Sequence, residues 1–146
     1  MFVSNDEVYM TGSDNRVIKK LRNGQLVTIA GTGKDGHDGD GQPATEASFS
    51  YPSCVIVSPS NQVYISDGSR IRKIDRNGII TTIAGNGTEE KPRFFSHLAI
   101  HTKVVGPCGM FVTDDEEVLF CDFGHHLVRK IDRNGTNNCR DWSFRI

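Results

Sequence analysis

The same short strings return along this chain in one order and one register. Arg22-Asn23-Gly24 recurs as Arg76-Asn77-Gly78 and as Arg133-Asn134-Gly135. Ile29-Ala30-Gly31 recurs as Ile83-Ala84-Gly85, and Val8-Tyr9 as Val63-Tyr64 and Val118-Leu119. Arg72-Lys73-Ile74-Asp75 recurs as Arg129-Lys130-Ile131-Asp132. Several anchors sharing a period of roughly 55 residues describe one supersecondary unit that stacks against copies of itself.

The middle unit reads as four short strands, residues 54–58, 63–66, 70–75 and 79–84. Short turn-rich segments separate them. Asn77-Gly78 predicts a tight type I′ hairpin turn, because Asn and Gly accept positive φ. Four antiparallel strands per repeat make the blade of a β-propeller. The third strand breaks strict alternation: Ile71 and Ile74 are three apart and cannot share a face of a regular strand. A bulge or burial of both faces accounts for this, and the sequence leaves both open. The expected fold is therefore all-β, a partial β-propeller of about two and a half four-stranded antiparallel blades. Residues 1–50 form a partial first blade plus a long inter-blade loop. Residues 51–105 form a complete second blade plus loop, and residues 106–146 a partial third blade with a divergent C-terminus.

Two strings carry a family likeness. Asn15-Arg16-Val17-Ile18-Lys19-Lys20 and His125-His126-Leu127-Val128-Arg129-Lys130-Ile131-Asp132 resemble the signature third strand of NHL-repeat propellers. Gly39-Asp40-Gly41-Gln42-Pro43-Ala44-Thr45 resembles the extended inter-blade loop of teneurin-like and bacterial-type members. The resemblance implies a six-bladed propeller-like architecture that serves as an interaction surface. A six-blade ring at this period needs roughly 330 residues. Aligned on Val8 and Val63, Phe2 falls opposite Val57, which cuts the first strand at its start. After Gly135 the repeat pattern dissolves, although Trp142, Phe144 and Ile146 alternate. An open set of blades is expected to leave apolar faces and strand edges in water, and so to self-associate or to belong to something longer.

Charged residues make up 24% of the chain and the net charge is −1, which disfavours a broad electrostatic grip on nucleic acid. No window approaches the roughly 18 apolar residues of a membrane-spanning helix. Met1-Phe2-Val3-Ser4 lacks the basic start of a signal peptide, and the compartment is left unassigned. Cys54, Cys108, Cys121 and Cys139 are too widely spaced for a zinc motif and read as free thiols in or near the core.

The remaining motifs favour structural readings. Gly31-Thr32-Gly33-Lys34-Asp35-Gly36 has dinucleotide-loop spacing but no helical pattern after it. Asp35, Asp38 and Asp40 sit among glycines, yet the twelve-residue calcium-loop pattern fails at both ends. His125-His126 read as turn residues with no acidic partner in sight. Arg70, Arg72, Lys73, Arg76 and Arg93, with Lys19, Lys20, Arg129 and Lys130, form a recurring basic stripe, read as solvated strand residues paired with Asp75 and Asp132. Asn86 and Asn134 begin glycosylation sequons, though Asn-Gly also serves turns.

The functional expectation is a non-catalytic protein-interaction module, with no catalytic, metal or cofactor residues. Its contacts are expected on the loops, at Lys34, Asp35, His37, Asp38, Asp40, Arg93, Phe94 and Phe95, toward an unidentified protein partner. The alternatives are a truncated piece of a longer propeller without independent activity, and a propeller hydrolase or lyase fragment.

Overall fold

Short β-branched runs between glycine-rich turns build three successive antiparallel sheets in the computed structural model, which describes residues 1–4, 6–85, 87 and 98–135. The first blade comprises β1 (Phe2–Ser4), β2 (Glu7–Gly12), β3 (Val17–Arg22) and β4 (Gln25–Ala30). The second comprises β5 (Pro52–Val57), β6 (Val63–Asp67), β7 (Arg70–Ile74) and β8 (Ile80–Ala84). The third contributes β9 (Pro107–Val112), β10 (Val118–Asp122) and β11 (Leu127–Ile131). Trp142, Phe144 and Ile146 lie outside the described residues. Each strand pairs with its sequence neighbour, so the chain is an arc of meandering β-propeller blades.

Burial of both faces accounts for the third strand, and a bulge lies beside it on β8. The β7–β8 register shifts between Ile71 and Arg72, where Ile71 faces Ala84 but Arg72 faces Thr82. The same shift recurs between Ile18 and Lys19 in the first blade. The extra residue is Ile83 on β8, while β7 keeps a regular register with β6, so Ile71 and Ile74, three apart, face opposite sides of the sheet. Ile74 packs with Val55, Val57, Val63, Ile65 and Ile80 in the core shared with Tyr9, Ile18 and Ala30 of the first blade. Ile71 packs with Ile56, Tyr64 and Ala84 in the core shared with Met110, Val112, Val118, Phe120 and Ile131 of the third. The middle blade is therefore apolar on both faces.

The repeated Ile-Ala-Gly string has a steric origin. Ala30 and Ala84 are buried at the ends of the fourth strands. Gly31 then turns with φ +96°, and a Cβ there would lie 2.5 Å from the Arg16 carbonyl oxygen. Gly85 repeats this at φ +88°, 2.1 Å from the Ser69 carbonyl oxygen. The freed amide of Gly31 donates to the carbonyl of Ala44, in a short 3₁₀ turn (Ala44–Glu46), and the Ala44 amide donates to the Gly78 carbonyl one blade on. Gly85, Ala99 and Gly135 repeat this clasp. Each inter-blade loop is thus pinned by backbone hydrogen bonds to the blades on either side.

Two expectations need correction. The middle hairpin is not type I′. Asn77 keeps negative φ while Gly78 takes +79°, and Asp75 pairs with Ile79 across three turn residues. The cause is Asp75, whose Oδ1 accepts the amides of Asn77 and Ile79. The first blade has no residue at that insertion, and there Asn23 and Gly24 both take positive φ. Second, Phe2 pairs with Tyr9 as Ile56 pairs with Tyr64, so Phe2 matches Ile56 rather than Val57. The turn between the first two strands is one residue longer in the second blade.

The outer faces differ from the inner ones. Val3 and Leu26 are 63% and 52% exposed, whereas their counterparts Val57 and Ile80 are 7% and 0% exposed. Phe111, the counterpart of the buried Ile56, is 64% exposed.

Two buried faces in one sheet predict that Ile71→Ala and Ile74→Ala each cost about 2–5 kcal/mol in urea unfolding, as core truncations do. A silent result at either position would mean that one face of β7 is not packed.

Candidate functional site

The sites of interest begin with two buried arginines. Arg72 lies on β7 and Arg129 at the equivalent place on β11, each opposite an apolar residue of the second strand, Ile65 or Phe120. Arg72 is 0% exposed, and Arg129 is also buried. A buried guanidinium needs a carboxylate and acceptors for its remaining N–H groups. Asp67 and Asp122, at the ends of β6 and β10 and both fully buried, supply the carboxylates at 3.8 and 2.9 Å. The expected pairing of the basic stripe with Asp75 and Asp132 is thus replaced, for these two arginines, by a buried pair within each blade. Asp75 instead shapes its turn.

Arg72 also organises the inter-blade loop. Its Nη2 donates to the Asp38 carbonyl at 3.2 Å and to Asp40 Oδ1 at 2.9 Å, and its Nη1 to the Ser48 carbonyl at 3.4 Å. The guanidinium lies 5.7 Å from the ring centre of the buried Phe49. Asp67 Oδ1 accepts the amides of Ser50 and Tyr51 at 2.8 and 2.7 Å. In the third blade, Arg129 donates to the Lys103 carbonyl and Asp122 accepts the Val105 amide. In the second and third blades, one ion pair therefore gathers the incoming loop.

A histidine completes each pair. His125 Nδ1 lies 2.8 Å from Asp122 Oδ2, with its ring partly exposed. His37 Nδ1 lies 3.4 Å from Asp67 Oδ2. The third blade has four residues between Asp122 and Leu127, and the turn carries its own histidine. The second blade has two between Asp67 and Arg70, and His37 arrives from the loop instead. His125 thus has the acidic partner that sequence reading missed. The signal was an Asp three residues before it, at a strand end that repeats Asp67.

The structure divides the sequence-selected loop residues by role. Asp38 and Asp40 hold Arg72, and His37 holds Asp67. Asp35 is exposed and 3.6 Å from Arg16. Lys34 is exposed. Arg93, Phe94 and Phe95 lie outside the described residues. No helix follows Gly36, which runs on as loop toward the 3₁₀ turn. Cys108 and Cys121, cross-strand neighbours on β9 and β10, are exposed rather than in the core, and Cys54 is half-buried. Burial, with Cys121 and Cys54 nearby, pushes the Cys108 thiol up.

Sequence reasoning also missed two clefts, one at each blade junction. The first, about 470 Å³, lies between blades one and two and is lined by Glu7, Tyr9, Lys20, Arg22, Asn61 and Arg76 over a floor of Ile29, Val63 and Ile74. The second, about 90 Å³, lies between blades two and three and is lined by the counterparts Tyr64, Lys73, Glu116 and Arg133 over Ile83, Val118 and Ile131. Asn61 and Glu116 hold the same turn position, each with φ 61°. Glu116 reaches across the junction and takes hydrogen bonds from Ser60, from Gln62 at 3.0 Å and from the Tyr64 hydroxyl at 2.7 Å. Burial raises the Glu116 carboxyl, but hydrogen bonds from Ser60, Tyr64 and Ser58 and the charge of Lys73 outweigh it and hold it below its ordinary value. In the first cleft the tyrosine turns to its own blade. Tyr9 donates to Glu7 at 2.7 Å, and Lys20 Nζ and Arg22 Nε approach the same carboxylate at 3.1 and 3.4 Å. Burial and the Glu7 bond push Tyr9 up to about 12. The Tyr9 bond lowers Glu7, helped by Lys20 and Arg22 against some desolvation.

If the Asp67–Arg72 pair holds the loop, Asp67→Ala leaves a buried guanidinium without its carboxylate and lowers unfolding free energy by about 3–5 kcal/mol. Asp75→Ala, which removes a turn cap, costs about 1 kcal/mol in the same urea titration. Equal losses would contradict the assignment.

Comparison with known proteins agrees with this architecture. The Teneurin NHL domain family matches residues 3–96. Teneurin-m of Drosophila melanogaster is 43% identical over 54 residues, 37% of this chain and 2% of that protein. Human Teneurin-4 is 34% identical over 93 residues, 54% of this chain and 3% of that protein. The chain thus spans a few hundredths of the length of these relatives. Among solved structures, a Bacteroides thetaiotaomicron protein of unknown function superposes with a TM-score of 0.64 at 21% identity, over 84% of this chain and 31% of that one. A streptogramin B lyase superposes with a TM-score of 0.63 at 16% identity, over 93% of this chain and 37% of that one. These structural likenesses show the fold alone. With the blade repeat, the pinned inter-blade loop and a family match over most of its length, the chain belongs to the teneurin NHL domain family.

Proposed function

We propose that this chain is a non-catalytic protein-interaction module, and that the loop from Lys34 to Glu46 forms part of its contact surface. The observation that carries this reading is the way the loop is held. Its buried anchors are Ala44, Ala47, Ser48 and Phe49, and buried Arg72 grips the Asp38 and Ser48 carbonyls. Lys34, Asp35, Asp38, Asp40 and Glu46 are meanwhile exposed. A surface fixed before contact loses little conformational entropy on binding, which favours recognition. His37, at the edge of the same loop, belongs to this surface, as do Arg93, Phe94 and Phe95 of the following loop.

A second reading is self-association through blade faces. Val3 and Leu26 on one side and Phe111 on the other are exposed counterparts of residues buried between blades. The remaining alternative is a piece of a longer propeller with no independent activity.

One capture experiment separates these readings. Tagged chain is incubated with cell extract and with untagged chain, alongside the Lys34→Glu/Asp35→Lys double variant. The interaction reading expects a heterologous protein whose capture falls at least tenfold in the double variant at unchanged melting temperature. Capture of untagged chain alone favours self-association, and no capture of either favours the inert piece.

A further inference from the structure

The two junction clefts are the same site built twice, with the bridging carboxylate in a different place: Glu7 and Asn61 of the first stand where Gln62 and Glu116 stand in the second. Between blades two and three, Glu116 enters from the next blade's turn and bridges to Tyr64, Gln62 and Ser60. That cleft then shrinks to about 90 Å³, and its lining charges balance, Lys73 and Arg133 against Glu116 and Asp132. Between blades one and two the equivalent residue is Asn61, in the same backbone conformation but shorter and uncharged. No side chain of the next blade bridges to Tyr9 among the described residues, and about 470 Å³ stays open. Its lining carries Lys20, Arg22 and Arg76 against Glu7 and Asp75, an excess of one positive charge.

The two carboxylates present there are already committed. Glu7 is shared by Tyr9, Lys20 and Arg22, and Asp75 Oδ1 accepts two backbone amides. Arg76 donates its Nε to the Ser60 carbonyl at 2.8 Å, which steadies the guanidinium at the cleft wall. An incoming carboxylate meets cations at the wall and the apolar floor of Ile29, Val63 and Ile74 beneath its methylenes. The volume lies within the range of ligand-binding pockets.

We propose that the cleft between the first two blades binds an acidic side chain of a partner polypeptide, whose carboxylate takes the place that Glu116 fills one junction on. The chain's own Thr113-Asp114-Asp115-Glu116-Glu117 turn shows the kind of segment that fits, and it supplies the probe. This site does not depend on the Lys34–Glu46 loop, so either reading can fail alone.

The test uses the whole chain and the capped peptide Thr-Asp-Asp-Glu-Glu, with a control that has Gln in place of the first Glu. Binding is followed by chemical-shift changes of the Tyr9 ring and by calorimetry. The peptide is expected to shift Tyr9, and the Gln control to bind at least tenfold more weakly. Asn61→Glu supplies the bridging carboxylate from within the chain. It is expected to abolish peptide binding without lowering the melting temperature. Three results would each overturn the proposal: no shift at Tyr9 up to millimolar peptide, equal binding of the Gln control, or undiminished binding to a folded Asn61→Glu variant.

Discussion

Burial of both faces of the middle sheet is the constraint on which the rest of this structure depends. A sheet with one wet face can alternate polar and apolar residues freely. A sheet clamped between two others cannot, so β5 through β8 carry apolar side chains toward both neighbours, Ile74 one way and Ile71 the other. The odd spacing of Ile71 and Ile74 along regular β7 sends the two isoleucines to opposite sides, and the bulge beside Ile71 falls on β8 at Ile83. Because the first blade repeats the bulge beside Ile18, the junction between blades one and two is built from the same parts as the junction between two and three.

Charges buried at these junctions then fix the connections. Arg72 and Arg129 occupy strand positions that would otherwise hold apolar residues, and each is neutralised by the aspartate ending the preceding strand. The first blade has Gly12 and Lys19 in place of Asp67 and Arg72, so it lacks this pair. Desolvating such a pair brings little net stability by itself. Its consequence is positional: the arriving loop supplies the Asp38 and Ser48 carbonyls and the Asp40 carboxylate to the Arg72 guanidinium, and the Ser50 and Tyr51 amides to the second oxygen of Asp67. The loop is therefore ordered although it has almost no secondary structure of its own.

Much of the architecture was legible because blades need the same residues at the same places. Ile-Ala-Gly returns because its glycine turns where a Cβ would collide with a carbonyl, and the glycine of Asn-Gly returns because each hairpin needs a positive φ there. What stayed hidden required contacts between distant residues. Arg72 looked like a surface charge because periodicity treats arginine as polar, and its burial is made tolerable by the carboxylates of Asp67 and Asp40 together with the carbonyls of Asp38 and Ser48. His37 looked isolated because its aspartate is thirty residues away. The type I′ reading failed at Asn77 because the one-residue insertion of Asp75 recasts the turn. The clefts were invisible for a further reason: they differ through exchanges, Asn61 for Glu116 and Glu7 for Gln62, whose meaning depends on knowing that the two turns occupy equivalent junctions.

The central claim is that stability is concentrated where both faces of a sheet are covered. Amide hydrogen exchange tests it most directly, since protection follows the opening free energy of each segment. The account predicts the slowest exchange at Ile56, Tyr64, Ile65 and Ile71 of the middle blade, with β1, β4 and β9 exchanging faster. Uniform protection across the three sheets, or a middle blade that exchanges faster than its neighbours, would contradict it.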